Sequence, residues 1–320
     1  MIAGSLRLLV NVEALNGVES VGNLVRHRSV PVVFRTARDY VIRYVPAVSG
    51  ESIAHAYQYE LVQLALAKNL PISNLSKQGE FVKFADNNFL DGIKPPSGPE
   101  DARRFEVDVM LADVVADVGG FMYAGDNPVR RSSRFYVGYM IPALDGEEIP
   151  SQLEAQFHVR YSQSTQKHAI FNVEVGSALY TVTFALDEQT IAIPSNPIPS
   201  NPGKQVNGED ALAQQRKDRV EIAVKALSVL FNVGFGGKRS RFLPSAKLQS
   251  AVVTFTDFPF IPEPGHSKTY IKDTVERMKK AANLRGSSNA KAFAINNEGL
   301  DVGEAQVITY PEDLITELLK

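Results

Sequence analysis

A run of glycines followed by cations is the part of this chain best suited to binding an anion. Residues 234–241 read GFGGKRSR, so Lys238, Arg239 and Arg241 directly follow Gly236 and Gly237. Glycine lets a backbone approach a ligand closely, and Lys and Arg side chains donate hydrogen bonds to phosphate oxygens. The pattern favours a phosphate contact. The alternative is a helix that stops at glycine and runs into a solvated basic loop.

The spacing of these residues excludes the two common nucleotide-binding motifs. A nucleoside triphosphate loop would need glycine at Asn232 and Ser or Thr at Arg239. The dinucleotide motif would also need glycine at Arg239, and the predicted order around this stretch is helix, loop, strand. The stretch is therefore predicted to contact a phosphodiester chain.

The charge distribution also indicates a polyanionic partner. The formal net charge is only −2, but residues 26–43 carry five arginines against one acid. Residues 216–247 carry eight Lys or Arg against two acids. Separated basic runs are typical of nucleic-acid binding, although each run alone could be ordinary solvated surface.

Composition limits the remaining possibilities. With 44% hydrophobic residues the chain can bury a large core, and without cysteine it has no disulfides or thiol nucleophiles. We find no signal-peptide pattern and no membrane span, and we expect a cytoplasmic protein. The five histidines lack metal-ligand spacing, and Asp113 and Asp117 could pair around a metal but are more typical of a solvated helix face. We therefore predict no metal, no cofactor and no catalytic residue.

The order of elements predicts an α+β fold. The first strand has alternating residues: Leu6, Leu8, Val10 and Val12 on the core side, and Arg7, Asn11 and Glu13 on the other. A helix follows from Ser49 or Ser52, then several strands, a helix from Asp210 and a strand in residues 247–258. This split βαβ order puts helices on one face of an antiparallel sheet and leaves the other face free to bind. The tandem repeat IPSNP at 193–202 predicts a surface loop.

Three segments together resemble a known family: residues 8–33 (LLVNVEALNGVESVGNLVRHRSVPVV), 48–62 (VSGESIAHAYQYELV) and 229–259 (VLFNVGFGGKRSRFLPSAKLQSAVVTFTDFP). The family is the backbone subunit of CRISPR surveillance complexes, in its archaeal type I-A, DevR-like autoregulator form. The resemblance implies an RRM-like (ferredoxin-like) antiparallel palm, an inserted helical lobe and a thumb hairpin. It also implies a non-catalytic antiviral-defence protein that binds guide RNA (crRNA) and, through it, target DNA. Its other partners would be copies of itself and other surveillance-complex subunits, with no membrane.

The resemblance also suggests a division of the chain. The palm would comprise residues 1–60, 105–144 and 169–260, with the inserted lobe at 61–104 and the thumb hairpin at 145–168. A flexible Pro-rich loop would occupy 193–209, and a helical extension 261–320.

The RNA-binding residues implied by the resemblance and the basic runs lie in four segments. They are Arg26, His27 and Arg28; Ser49, Gly50, Ser52 and His55; Gly119, Gly120 and Met122, whose methionine would wedge beside a base; and Gly236, Gly237, Lys238, Arg239 and Arg241. Related type III subunits cut RNA with an aspartate in the loop after the first strand. Here that loop offers only Glu13 and Glu19, so we expect no cleavage.

Two alternatives remain open at the level of sequence. One is an RRM-like endoribonuclease that processes repeat RNA with His158 or His168 as general acid or base. The other is a structural or regulatory oligomer that binds no nucleic acid.

Overall fold

The computed structural model describes residues 1–36, 38–144, 151–162 and 167–320. The strands are β1 (Ile2–Glu13), β2 (Gly17–Val21), β3 (Leu24–His27), β4 (Ser29–Arg35), β5 (Tyr40–Pro46), β6 (Phe121–Tyr123), β7 (Val129–Arg131), β8 (Phe135–Val137), β9 (Ile141–Pro142), β10 (Ser151–Ser162), β11 (Lys167–Leu186), β12 (Ser245–Thr256), β13 (Ala290–Asn296) and β14 (Gln306–Val307). The helices are α1 (Gly50–Ala67), α2 (Asn74–Lys77), α3 (Ala102–Ala112), α4 (Val114–Gly119), α5 (Glu209–Ala226), α6 (Ser228–Phe231), α7 (Tyr270–Arg285) and α8 (Pro311–Leu318).

One large mixed sheet organises the molecule and confirms the predicted α+β class. Its main path runs β14-β13-β12-β1-β11-β3-β2, and β8, β9 and β10 also pair with β11. The central strand β1 is antiparallel to both neighbours, with Leu6 opposite Val182 on β11 and Ala251 on β12. Two pairings farther out, β11 with β3 and β13 with β14, are parallel, and β3 pairs with the edge strand β2 in antiparallel orientation.

The main core lies between this sheet and the helices α1 and α5. Leu6, Leu8 and Val10 of β1 are fully buried in one apolar cluster with Tyr57 of α1 and Val224 of α5. Burying each such side chain contributes about 1.5–3 kcal/mol, so the alternation of β1 fixes which sheet face carries the helices. The first strand, the helix after Ser49, the helix near Asp210 and the strand before residue 258 are confirmed.

The opposite sheet face is covered around Arg7 and Thr181, so the prediction that this face is free to bind was wrong for that part. Arg7 and Thr181 are buried there, at 2% and 3% exposure. Leu9, farther along β1 on the same face, is 38% exposed. Gly265 donates its N–H to Thr181 Oγ1 at 3.0 Å and accepts Arg7 Nη1–H at 3.0 Å. Glu298 accepts hydrogen bonds from Arg7 and from Ser250 on β12. The polar groups of this face are thus satisfied by residues from the C-terminal part of the same chain.

The alternation of β1 breaks at its end. Val12, predicted to face the core, is 57% exposed, and Glu13, predicted to face outward, is 0% exposed. The register shifts between Val10 and Glu13, and Val12 adopts a φ of 55°. This irregularity turns Glu13 inward.

A long hairpin extends from the sheet where several separate strands were predicted. β10 pairs with β11 from Ser151 opposite Ala178 to Ser162 opposite Lys167. β11 is one continuous strand of 20 residues that goes on to pair with β1. Of the predicted thumb 145–168, residues 145–150 and 163–166 lie outside the described part of the chain.

The tandem IPSNP repeat is a loop without strand structure, as its prolines predicted. In the first copy, Ser195 donates both its N–H and its hydroxyl to Glu106 of α3. In the second copy, Ser200 donates the same two groups to Glu100, just before α3. Each copy is therefore held to the α3 region by one carboxylate.

The C-terminal segment contributes more than helices. Between α7 and α8 lies β13, which pairs with β12 from Ser250 opposite Asn296 to Thr256 opposite Ala290. This strand was not predicted. Phe293, Ala294 and Ile295 are all buried, so the strand lacks the alternation that would reveal it. No helix in the described ranges is long and apolar enough to cross a membrane.

Candidate nucleic-acid interface

The loop after β1 joins three of the four segments predicted to bind RNA. Leu15 accepts the Gly237 N–H at its carbonyl oxygen, at 2.7 Å. Asn16 Oδ1 accepts the Ser49 N–H at 2.8 Å and the Arg28 Nε–H at 3.1 Å. The basic stretch, the start of α1 and the glycine-rich loop therefore converge on residues 14–17. Sequence analysis missed this role, although Asn-Gly at 16–17 is a strong turn signal between strands.

A groove of about 360 Å³ opens at this junction. Ser52 of α1 and Lys238 of the glycine-rich loop both line it. The residues that line it are Ala14, Leu15, Asn16, Gly17, Val18, Ser20, Val25, Ser52, Gly237 and Lys238. Among the residues whose side chains the structure describes, this lining contains no Asp or Glu, which suits a groove for an anion. The side chain of Glu19, between Val18 and Ser20, lies outside the described part of the chain.

At the start of α1, some of the predicted RNA-binding residues stabilise the helix and others are accessible to a ligand. Ser49 is buried and caps the helix, accepting the Ser52 N–H at 3.3 Å. Gly50 packs so closely that a Cβ there would lie 2.6 Å from the Val137 carbonyl oxygen. Ser52 is half-buried, and His55 is exposed with its ring 5.0 Å from that of Phe81. Ser52 and His55 are thus the side chains of this motif that a ligand can reach.

The glycine-rich loop packs on the loop after β1. Gly236 has a φ of +87°, and a Cβ there would lie 2.6 Å from Leu15 Cβ. Gly237, Lys238 and Arg241 are exposed, and Arg239 is half-buried. The first glycine of the pair therefore allows close approach to the protein's own backbone, which leaves the cations after it at the surface.

His27 is not a surface residue, and its assignment to the RNA-binding set is revised. It is 3% exposed, with Nε2 2.6 Å from Glu13 Oε1. Glu13 also accepts the Tyr180 hydroxyl at 2.7 Å and the Leu15 N–H at 2.7 Å. Because Glu13 holds the backbone of Leu15, which lines the groove, this buried pair helps to fix the position of the groove lining.

Each partner of the pair stabilises the charge of the other. Burial alone would lower the pKa of His27, but hydrogen bonding and the charge of Glu13 outweigh burial and raise it. Burial would likewise raise the pKa of Glu13, but His27 outweighs it and the Glu13 pKa is lowered. Both pKa shifts favour the charged forms of His27 and Glu13.

Of the predicted RNA-binding residues Arg26, His27 and Arg28, the two arginines remain near the surface. Arg26 is exposed and Arg28 is half-buried. Arg28 also donates its backbone N–H to Asn16 O at 2.8 Å, so its position is fixed beside the groove.

The fourth predicted segment lies apart from the groove lining. Gly119 accepts a hydrogen bond from Lys83 Nζ at 3.2 Å, and Lys83 also donates to Gln58 of α1 at 3.1 Å. Gly120 is buried with a φ of +69°, and Met122 on β6 is 59% exposed. This segment therefore borders the outer side of α1, and contact of Met122 with a base stays a prediction.

Part of the second basic run is buried. Arg219 of α5 is 0% exposed and donates to Asp117 at 2.8 Å, and Arg131 donates to the same carboxylate at 2.5 Å. Asp113 accepts the hydroxyls of Ser73 and Ser76 at 2.7 and 2.6 Å. Neither aspartate is solvated, and neither faces the other around a metal. Among the described residues, no group of three or more His, Cys, Asp or Glu could hold a metal ion.

Fold and site together define an α+β protein with a groove that is flanked by cations and has no acid among its described lining residues. Residues 4–275 match the family described as "CRISPR-associated negative auto-regulator DevR/Csa2". The chain therefore belongs to the DevR/Csa2 family of CRISPR-associated proteins, as its sequence motifs indicated.

Individual relatives agree with this assignment. The chain is 57% identical, over 99% of both chains, to "CRISPR-associated aCascade subunit Cas7/Csa2 2" of Saccharolobus solfataricus. It is 38% identical, over 89% of both, to "CRISPR-associated protein Cas7/Csa2 1" of the same organism. Among solved structures it resembles a chain of a "CRISPR RNA-guided surveillance complex, pre-nicking", with a TM-score of 0.54 at 10% identity over 100% of this chain and 99% of that one. The last likeness concerns the fold alone.

Proposed function

We propose that this chain is the backbone subunit of a type I-A CRISPR surveillance complex and binds crRNA without cutting it. The observation that carries the proposal is the groove in which Ser52, Gly237 and Lys238 meet beside Arg28, and whose described lining residues include no acid. Phosphate oxygens only accept hydrogen bonds, so a groove lined by donors and bordered by cations suits an RNA backbone. The family assignment supports the same partner.

The strand order supports an RRM-like palm. α1 follows β1, α5 precedes β12, and β1 lies between β11 and β12, with the short strands β8 and β9 on β11. This is the arrangement of a split βαβ unit. We assign the hairpin of β10 with the first residues of β11 as the thumb, and residues 61–104, which contain α2 and the start of α3, as the inserted lobe.

RNA recognition by such a groove is largely independent of base sequence. Lys238, Arg239 and Arg241 act on phosphates, while pairing between guide and target supplies the specificity. Copies of the chain assemble along the RNA and meet other subunits of the complex. A net charge of −2 is compatible with this, because only the groove has to be positive.

The geometry favours binding over cleavage. Glu13, the carboxylate nearest the place where related type III subunits carry their aspartate, is 0% exposed and engaged by His27 and Tyr180. His158 is half-buried between the rings of Phe171 and Phe242, with centroids 5.2 and 5.5 Å away. The side chain of His168 lies outside the described part of the chain.

The proposal is tested by replacing Lys238, Arg239 and Arg241 with alanine. RNA affinity is expected to fall for all sequences alike. The slope of log affinity against log salt is expected to flatten by about 0.7 for each phosphate that the protein no longer neutralises, because fewer counterions are released. Binding is measured by fluorescence anisotropy on unrelated single-stranded RNAs at several salt concentrations.

A matched control removes the same charge elsewhere. Lys279, Lys280 and Lys291 are exposed cations of the C-terminal segment, and their alanine triple variant should retain the wild-type salt slope. Equal slopes in the loop variant and the wild type would refute the assignment of the loop. RNA cleavage by the wild type that disappears in His158→Ala would instead establish the endoribonuclease alternative.

A further inference from the structure

Asn16 occupies the junction of three segments that are distant in sequence. Its side-chain oxygen accepts the Ser49 N–H at 2.8 Å and the Arg28 Nε–H at 3.1 Å. Its backbone oxygen accepts the Arg28 N–H at 2.8 Å. An amide oxygen has two lone pairs, and both are used here. The orientation of the Asn16 amide is therefore fixed by two donors from different segments.

Fixing the oxygen also fixes the amide nitrogen. Asn16 is half-buried and belongs to the groove lining. Its Nδ2 carries two N–H donors, and neither has a hydrogen-bond partner among the described residues. A held amide with unused donors at the wall of a groove is suited to bind an acceptor on a ligand.

The same contact orients a cation. Arg28 uses its Nε–H on Asn16, whereas its Nη1 and Nη2 groups have no partner in the described ranges. A guanidinium held at Nε presents its two terminal nitrogens in a fixed fork. The geometry of Asn16 therefore determines where Arg28 can meet an anion.

We propose that Asn16 is an RNA-binding and positioning residue. Its Oδ1 aligns Arg28 and the capped start of α1, and its Nδ2 donates a hydrogen bond to a phosphodiester oxygen in the groove. Phosphate is the matching acceptor because the described lining residues offer amide and hydroxyl donors and the Lys238 cation, and none of them is a carboxylate. The inference rests on the proposed function, since it assigns a further residue to the same groove. The family resemblance assigned Arg28 and Ser49 but not Asn16.

Two substitutions separate positioning from donation. Asn16→Ala removes both roles, and RNA affinity is expected to fall at least tenfold. Asn16→Asp keeps oxygen acceptors for Ser49 and Arg28, so its melting temperature should equal that of the wild type. It cannot donate, however, and its affinity is expected to fall at least as far as that of Asn16→Ala.

Two controls make the comparison specific. Ser20→Asp places a carboxylate in the same groove with Asn16 intact, so it measures the effect of charge alone. Asn201→Ala removes an exposed asparagine from the Pro-rich loop and should bind RNA like the wild type. Affinity is measured on a single-stranded homopolymer by anisotropy, and folding by thermal melting.

The outcomes are distinct. A loss in Asn16→Asp that exceeds the loss in Ser20→Asp supports donation by Nδ2, whereas an equal or smaller loss overturns it. Wild-type affinity in Asn16→Ala overturns the whole inference. If the wild type does not bind RNA, or the Lys238 triple variant binds normally, the proposed function fails. If both behave as expected and only the Asn16 variants bind normally, the Asn16 inference alone fails.

Discussion

At the scale of single residues, the chain uses several charged side chains inside the protein that its sequence suggested were outside. His27 and Glu13 form a buried pair under the groove, and Arg219 is fully buried against Asp117. Local charge counts cannot separate such residues from surface cations, because their partners are remote in sequence. Burial is tolerated here because each charge is paired and hydrogen bonded.

The His27–Glu13 pair should make stability depend on pH. Because the folded-state pKa of His27 is raised, its contribution is complete below the unfolded value of 6.5 and is lost as pH rises through the folded value. The Glu13 pKa is lowered, so its contribution is present above the unfolded value of 4.5 and is lost as pH falls through the folded value. The free energy of unfolding, measured by urea titration from pH 5 to 9, is expected to decline on the alkaline side.

His27→Gln supplies the comparison for this prediction. Burial lowers the pKa of His266, which gives the opposite slope, so the His27 contribution is the difference between wild type and variant. We expect the variant to be less stable by about 3–5 kcal/mol, because Glu13 loses its buried partner. Parallel stability curves for the two proteins would contradict a charged pair.

Arg219 provides a second test of buried charge. Arg219→Ala should destabilise the fold by about 3 kcal/mol, because Asp117 loses one of its two buried arginine partners. Lys217→Ala, which truncates an exposed cation two residues earlier, should leave the melting temperature unchanged. Similar melting temperatures for the two variants would show that Arg219 does not stabilise the helix α5 against α4.

At the scale of elements, helices and strands with a clear apolar periodicity were predictable from the sequence. Contacts between segments far apart in the sequence, such as the cover over the second sheet face, were not. β1, α1, α5 and β12 follow from apolar spacing, and α8 from its N-terminal proline. The cover over the second sheet face depends on Gly265 and Glu298 reaching Arg7. Nothing local at those positions signals such a contact. For the groove, the sequence supplied the contributing segments, whereas the loop that joins them emerged only from the fold.

Adjacent glycines allow a matched test of loop docking. Gly236→Ala would introduce a Cβ 2.6 Å from Leu15 Cβ at a φ of +87°, whereas at Gly237 the nearest atom would be Leu15 O at 3.8 Å. We expect Gly236→Ala to lower stability by about 1–3 kcal/mol and to weaken RNA binding through displacement of the loop. Gly237→Ala should be close to wild type in thermal melting. Equal effects would argue against docking on Leu15.

At the scale of the whole molecule, the basic residues beside the groove are balanced by acidic residues elsewhere in the chain, and the net charge stays small. The described lining of the groove has no acid, whereas the chain as a whole has a net charge of −2. Such a molecule can meet RNA at one surface and a neighbouring copy at another.

Assembly along RNA should therefore depend on RNA length. Mixed with single-stranded RNAs of increasing length, the protein is expected to form complexes whose sedimentation coefficients increase in steps, and electron microscopy should show arcs or helices. The Lys238, Arg239 and Arg241 triple variant should form fewer complexes at the same concentration. One protein per RNA at every length would contradict the backbone role.

The two copies of the IPSNP repeat are held by two carboxylates that differ in burial, so their hydrogen bonds should open at different rates. Glu106, which holds Ser195, is fully buried and is also engaged by Arg131, whereas Glu100, which holds Ser200, is exposed. Water can therefore replace Glu100 as the partner of Ser200 far more readily than it can replace Glu106 as the partner of Ser195. Amide hydrogen exchange should therefore be faster at Ser200 than at Ser195. The second copy of the repeat would separate from the α3 region first, while the first copy stays bound.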